Sequence, residues 1–439
     1  MSHPKAVLVG VQLPSVSEED HLASLAELGR LVKTLGFEVV AQLSQKRSTP
    51  APGTLMGAGK LKELARLTGG SGVVRSFGDE EEPEEAPATA PLSSEDSAVV
   101  ASKVIFDDEL TPTQLRNLES ATGADVLDRS GVIIEIFHRH ARTREARLQV
   151  DIARLRYLAP RLKLARMGQD RQGGGIGAKG VGETSHELDK RRIRDRIAEL
   201  KRELEAIHRS KAGQRQGRCE QAKVALVGYT NAGKSSLMRA LTASDVLVED
   251  KLFATLGTTV RALQPETIPR ILIADTVGFI KKLPHDLVAS FRSTLDEAQD
   301  AGLLLYVVDA ADKTFRSQLA VTREVLAELA LTARESLVVL NKVDQLTPEA
   351  LAELQREFPQ GLFLSAIQPS SVALLRERII AHCELGMSEE DLHIPYAAGH
   401  LLGEVRLGLR VLAEHHDEQG TMLRVRGAAE TIAAIRRKI

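Results

Sequence analysis

The sequence predicts an α/β protein. Its centre is a doubly wound, mostly parallel sheet, with an N-terminal α/β domain and a helical hairpin before it and a small α+β domain after it. Three observations predict this. First, the apolar run Val224–Val227 leads into Gly228-Tyr229-Thr230-Asn231-Ala232-Gly233-Lys234-Ser235, and Leu237–Leu241 follows, which reads as strand, glycine-rich turn and helix. Second, strand-like segments at Val224–Gly228, Ile271–Ala274, Leu303–Val308, Leu337–Leu340 and Leu362–Leu364 alternate with helical stretches, the pattern of parallel strands joined by crossover helices. Third, two apolar series spaced 4, 3, 4, 3 precede them: Leu148, Ile152, Leu155, Ala159, Leu162, and then Ile193, Ile197, Leu200, Leu204, Ile207. Two such seams joined by a loop predict an antiparallel helical hairpin. The expected domains are residues 1–140, 141–218, 219–387 and 388–439.

Composition narrows the class. The 439 residues are 43% hydrophobic and contain no Trp, and 58 Lys and Arg nearly balance 60 Asp and Glu, for a net charge of −2. Two cysteines, Cys219 and Cys383, are too few for a disulfide framework or a metal cluster. No secretory signal pattern opens the chain and no apolar run is long enough to span a bilayer, so a cytoplasmic protein without a membrane partner, and a monomer, is expected.

Taken in order, Ala6–Val11 reads as a strand, and Leu22, Leu25, Ala26, Leu28 and Leu31 mark an amphipathic helix ended by Gly36. Phe37–Leu43 is the next strand. Gly57-Ala58-Gly59-Lys60 is too short for a phosphate loop and reads as a turn opening a helix. Residues 79–97 hold eight acids, three prolines and no basic residue, and so read as a disordered insertion. Strand-like sequence resumes at Val99 and at Val104–Phe106. Thr111 caps a helix that begins with Pro112, Ala124–Leu127 is a short strand, and Gly131–His138 fits either strand or helix.

Charge is concentrated in the hairpin. Between His138 and Arg218 there are 22 Lys and Arg against 10 Asp and Glu. Pro160 is expected to kink or shorten the first arm. Six of the ten residues from Gly173 to Gly182 are glycine, a poor choice for a plain coiled coil; Arg171 precedes them and Lys179 lies among them. A basic hairpin with such a tip predicts contact with the phosphate backbone and shape of folded RNA, with Arg171, Gly173, Gly174, Gly175 and Lys179 as candidate contacts. No aromatic residues interleave, which argues against single-strand stacking.

The chemistry lies in the central sheet. The spacing of Gly228 to Ser235 is G-x-x-x-x-G-K-S: backbone N–H groups to cradle a polyphosphate, Lys234 for the β- and γ-phosphates, and the Ser235 hydroxyl for Mg²⁺. Asp275-Thr276-Val277-Gly278 follows the strand Ile271–Ala274. There Asp275 can hold Mg²⁺ through water, and Gly278 lets a backbone N–H approach the γ-phosphate. Asn341-Lys342-Val343-Asp344 follows Leu337–Leu340. The Asp344 carboxylate matches the two donors of guanine, N1–H and the 2-amino group, which adenine lacks. Asn341 would tie the base loop to the phosphate loop, and the Lys342 stem would cover the base. Ser365-Ala366-Ile367 offers a backbone N–H to guanine O6. In Phe253-Ala254-Thr255-Leu256-Gly257-Thr258-Thr259, three threonines, Thr255, Thr258 and Thr259, could ligate Mg²⁺ when the γ-phosphate is present, and spacing does not choose among them. Phe279 stands where Ras-like enzymes carry a water-orienting Gln, so intrinsic hydrolysis should be slow and open to stimulation by a partner. The ligands expected are GTP and GDP with Mg²⁺. Beyond residue 387, Leu392–Ile394 and Met422–Val425 read as strands, and Gly399–His415 and Ala428–Lys438 as helices.

With these motifs the sequence resembles the HflX family of ribosome-associated GTPases. The most specific stretches are Phe106-Asp107-Asp108-Glu109-Leu110, Gln114–Leu118, Arg142–Glu145, Arg171–Gly177 with Gly182-Glu183, and Gly228–Ser235. The resemblance implies binding to the large ribosomal subunit and its rRNA, stimulation by it, and splitting or rescue of stalled ribosomes under stress. It also selects Thr255 as the Mg²⁺ ligand. Two departures stand out: Gly257-Thr258-Thr259-Val260 replaces the family's usual Asp-Pro-Thr-Thr, and the acidic insertion is atypical. A GTP-responsive rRNA-binding module with little turnover, or an ATP-dependent RNA activity of the N-terminal domain, are the alternative readings.

Overall fold

A computed structural model describes residues 3–74, 101–166, 185–216, 222–243, 253, 259–282, 298–328 and 335–439. Val99, the acidic insertion, the glycine-rich tip with Arg171, Gly173, Gly174, Gly175 and Lys179, Cys219, and Ala254 to Thr258 lie outside the described residues. The chain divides into two units: residues 1–204 with 282–288, and residues 205–281 with 289–439.

The first unit is built on a parallel four-stranded sheet, β1 (Lys5–Gln12), β2 (Glu38–Lys46), β3 (Lys103–Phe106) and β4 (Asp125–Asp128), in the order β2-β1-β3-β4. Both faces are covered, as parallel sheets require. Val7, Val9, Val104 and Phe106 pack with Leu61, Leu64 and Leu118. Helix α1 (Glu18–Thr34) starts where Ser17 accepts the Asp20 N–H at 3.0 Å, with Glu18, Glu19 and Asp20 favouring the positive end of its dipole. It buries Leu25, Leu28, Leu31 and Val32, whereas Leu22, expected on the apolar face, is 52% exposed. Helix α2 (Ala58–Thr68) does open at Gly57. Helix α3 (Pro112–Thr122) opens with a capping box between Thr111 and Gln114. The ambiguous stretch after β4 is helix α4 (Arg129–His140), capped by the Asp128 carboxylate on the Gly131 N–H. Burial on nearly every side hid its period, since Val132, Ile133, Ile134, Ile136 and Phe137 are all buried.

A polar cluster lies inside this unit. The Arg129 guanidinium is buried, donates to Asp107 at 2.8 Å and pairs with Glu27. Ser24 Oγ (2.7 Å) and the ammonium of Lys282 (2.8 Å), a residue of this unit, also donate to Asp107. Burial by itself pushes the Asp107 carboxyl up, but Arg129 and Lys282 more than reverse this and hold it below the usual carboxylate range.

The basic arms are helices α5 (Arg144–Arg166) and α6 (Ser185–Gln216). Helix α5 runs through Pro160 for six further residues, so the expected shortening there is corrected. It serves the sheet domain as well as the seam. Ala146, Val150 and Ala153 are buried, the helix packs on α3 and α4, and Tyr157 Oη and Arg161 donate to Asp128 at 2.7 and 2.6 Å. Arg144, at the start of α5, meets Glu203, in the second half of α6, at 2.9 Å.

The second unit contains a six-stranded sheet: β5 (Ala222–Gly228), β6 (Thr259–Ala262), β7 (Ile271–Asp275), β8 (Leu303–Asp309), β9 (Glu335–Asn341) and β10 (Leu362–Phe363), in the order β10-β9-β8-β5-β7-β6. All pairs are parallel except the edge strand β6 on β7. The sequence reading missed β6, a four-residue edge strand without an apolar run. The last segment is the antiparallel sheet of β11 (Met387–Pro395), β12 (Arg410–His416) and β13 (Gly420–Ala428), in the order β11-β13-β12. Two helices, Leu401–Gly408 and Ala429–Arg436, complete its core with Val405, Ile432 and Ile435. The helix expected over Gly399–His415 is therefore corrected. It ends at Gly408, Leu409 turns extended (φ −127°, ψ 146°), and the remainder pairs with β13. Most of β12 is exposed and a bulge at Val411/Ala413 breaks its alternation, which removed the period-2 signal.

Candidate nucleotide site

Strand β5 is central, with β7 on one side and β8 on the other, so its carboxyl end lies at the point where the winding reverses. Glycine is required there. Gly228 has φ 153°, and a Cβ on it would lie 2.1 Å from the Val307 carbonyl oxygen. The loop then turns through Asn231 at φ 61° and Gly233 at φ 94°. A Cβ on Gly233 would sit 2.1 Å from Asn341 Nδ2. Helix α7 (Lys234–Thr242) starts immediately afterwards, so its first N–H groups face the loop.

Lys234 is buried, and its ammonium donates to the carbonyls of Gly228 at 3.1 Å and Tyr229 at 2.7 Å. Burial pulls its pKa down to about 8, with Asp275 opposing the shift. Ser235 Oγ donates to Asp275 Oδ2 at 2.8 Å. Asp275 ends β7 and is fully buried, and Thr276 Oγ1 donates to the Leu226 carbonyl at 2.7 Å. A hydroxyl and a carboxylate, both hard oxygen donors, thus meet beside a buried ammonium, a donor set that suits Mg²⁺ with a phosphate. Among the described residues no cluster of three His, Cys, Asp or Glu forms a self-sufficient metal cage.

Gly278 closes on this group. A Cβ there would lie 2.9 Å from Thr230 Cα and 3.0 Å from Lys234 Nζ. Phe279 is locked to the loop by two backbone bonds, Thr230 N–H to its carbonyl at 2.8 Å and its own N–H to the Gly228 carbonyl at 3.1 Å. Its ring is buried, so this position supplies no water-orienting group. Thr230 Oγ1 is buried and has no hydrogen-bond partner, which leaves an unused hydroxyl in the phosphate loop.

Asn341 ends β9 and spans two loops. Its Nδ2 donates to the Ala232 carbonyl at 2.9 Å and its Oδ1 accepts the Ala366 N–H at 3.0 Å. Ile367, next in the chain, is 78% exposed. Ser365 is buried beneath. Lys342 has φ 63° and starts the 3₁₀ turn Val343–Gln345, which carries Asp344. Asp344 is exposed. Lys342 Nζ donates to Asp309 Oδ2 at 2.6 Å. Asp309 was not singled out in the sequence; the signal available was an acid directly after the apolar run Leu303–Val308. Phe253, at φ 62°, is buried. Of the three candidate threonines, only Thr259 is described: it begins β6, opposite Asp275.

The phosphate-loop residues, Asp275–Gly278, Asn341–Asp344 and Ser365–Ile367 thus gather around the carboxyl ends of β5, β7, β9 and β10. Comparison with known proteins decides the family. Residues 22–74 and 92–138 match the GTP-binding GTPase N-terminal family, 140–218 the GTP-binding GTPase Middle Region, and 223–342 the 50S ribosome-binding GTPase family. A GTPase HflX of Gluconacetobacter diazotrophicus is 56% identical over 444 residues, covering 99% of this chain and 98% of its own length. The GTPase HflX of Escherichia coli strain K12 is 34% identical, covering 95% of this chain and 92% of its own. This chain belongs to the GTPase HflX family. It is a GTPase and, in the general sense of its family, ribosome-associated. A solved GTP-binding protein from Sulfolobus solfataricus in complex with GDP is 24% identical, with a TM-score of 0.42, over 86% of this chain and 98% of that one. No described helix is long and apolar enough to cross a membrane.

Proposed function

We propose that this GTPase binds the large ribosomal subunit and uses GTP binding and hydrolysis to split or rescue stalled ribosomes under stress. The observation carrying the catalytic half is the convergence of Lys234, Ser235, Asp275 and Gly278 around the loop that Asn341 braces. In this reading residues Gly228–Ser235 cradle the phosphates. Lys234 exchanges its two carbonyl partners for β- and γ-phosphate oxygens, whose negative charge favours an ammonium that burial disfavours. Ser235 and Thr255 would hold Mg²⁺, with Asp275 acting through water, and the ion would supply charge neutralisation at the phosphates. The Gly278 N–H meets the γ-phosphate. Asp344 accepts from guanine N1–H and the 2-amino group, while Val343, Lys342, Ser365, Ala366 and Ile367 bound the base. Phe253 to Gly257 form the first switch.

Residues 1–140, 141–218, 219–387 and 388–439 act as four domains of a cytoplasmic monomer. The basic arms α5 and α6 and the tip between them carry the protein to rRNA, with affinity set by phosphate contacts. Because Phe279 supplies no polar group, turnover is slow until the ribosome completes the site.

Subunit sedimentation with GTP and with a non-hydrolysable analogue, beside GTP turnover with and without large subunits, tests the proposal. Dissociation of 70S particles and stimulated turnover are expected. Nucleotide-dependent binding without stimulation would favour the low-turnover rRNA-binding module instead.

A further inference from the structure

We propose that Asp309 is a positioning residue for guanine-nucleotide binding, acting through Lys342. This rests on the reading that Lys342 covers the base and Asp344 reads its edge.

Asp309 is the last residue of β8 and lies in register with Asn341 on β9. Its Oδ2 receives the Lys342 ammonium at 2.6 Å, with the two side chains only 19% and 23% exposed. Its Oδ1 accepts the Ala311 N–H at 3.1 Å, and its carbonyl accepts the Asp312 N–H at 3.2 Å. The carboxylate is therefore fixed from its own loop before Lys342 reaches it. Lys342 springs from a left-handed turn, φ 63°, directly after a different strand, β9, and its flexible stem would otherwise sample many rotamers. Anchoring the stem at both ends holds it in one place in the free protein. The base then meets a prearranged surface, and no ordering of that side chain is left to oppose binding.

Asp309 touches the lysine rather than the base. Its loss should weaken GDP and GTP alike without changing which base is preferred, whereas Asp344→Asn should change the preference.

The test uses the full chain. Asp309→Asn keeps an acceptor for the Ala311 N–H and removes the charge facing Lys342. Release of ribose-labelled GDP should accelerate about three- to tenfold, the effect of losing one partly buried ion pair. The preference for GTP over xanthosine triphosphate should stay as in the wild type. Lys342→Met, which leaves Asp309 and its loop bond in place, should accelerate release similarly, and adding Asp309→Asn to it should change nothing more. Unchanged release in Asp309→Asn, or an undiminished effect in the Lys342→Met background, overturns the proposal; the latter would make Asp309 a loop anchor only. Should Asp309→Asn not fold, wild-type release from Lys342→Met overturns it equally. If Asp344→Asn leaves base preference unchanged, the underlying base-site reading fails. If Asp344→Asn changes that preference while Asp309→Asn leaves release unchanged, only the role of Asp309 fails.

Discussion

The side-chain amide of Asn341 donates to the carbonyl of Ala232 at 2.9 Å, across 109 residues of chain. Its oxygen holds the Ala366 N–H, so one side chain fastens the phosphate loop to the base loop. Asn341 is 1% exposed, so water cannot replace either bond. Asn341→Ala should therefore weaken GDP by tenfold or more, since each buried group left unpaired costs about 1–3 kcal/mol. Calorimetric titration of GDP into the variant checks this, and wild-type affinity would remove Asn341 as the brace.

Gly278 makes a second prediction. An alanine methyl there would press on Thr230 Cα and Lys234 Nζ. Gly278→Ala should leave GDP binding nearly unchanged and reduce ribosome-stimulated GTP turnover by about 10²-fold, the scale of losing one transition-state donor. Single-turnover hydrolysis beside GDP affinity measures both, and equal loss in the two assays would place Gly278 in general loop packing.

The Asp107 cluster predicts a pH dependence in the first unit. Arg129 and Lys282 hold the Asp107 carboxyl below its unfolded value, burial notwithstanding. The folded state therefore binds this proton less readily than the unfolded chain. The stabilisation is complete above the unfolded value, near pH 4, and is lost as pH falls through the lowered folded value. Hydrogen exchange of amides in α1 and α4 should accelerate as pH drops below about 4, after correction for intrinsic rates. Asp107→Asn should show faster exchange already at pH 7 and a flatter acid response, because Arg129 stays buried with one partner fewer. An unaltered acid response in that variant would mean that another group carries it.

The tip of the basic arms is the fourth case. Gly174→Pro with Gly175→Pro should stiffen it and weaken pelleting with large subunits, while GDP affinity of the free protein stays the same. Binding should weaken steeply with added salt in the wild type, as expected of phosphate contacts. Normal pelleting and normal GTPase stimulation in the double variant would make the tip a connector.

Much of this protein was legible in its sequence because the determinants are local. Gly228 to Ser235 must be a strand, a tight turn and a helix start, since Gly228 and Gly233 leave no room for a Cβ and the apolar run before them suits only a buried strand. Thr111 and Pro112 likewise wrote the start of their helix into consecutive residues. Strand ends followed by Asp275 and Asn341 placed those groups on one edge, because parallel strands bring all their carboxyl ends to the same side.

Tertiary structure decided what depends on residues far apart in the chain. Val132 to Phe137 became helical and β12 became a strand because of what packs or pairs with them, and neither stretch carries a period of its own. Asp107 is a strand-end acid by sequence, and Arg129 and Lys282 make it the centre of a buried charge cluster. The pairing of Asp309 with Lys342 arises only because β8 and β9 lie side by side in register. Sequence determined which chemistry each strand end could offer. Strand order and register decided which of those groups meet, because hydrogen bonds and ion pairs act over a few ångströms of space, whatever the distance along the chain.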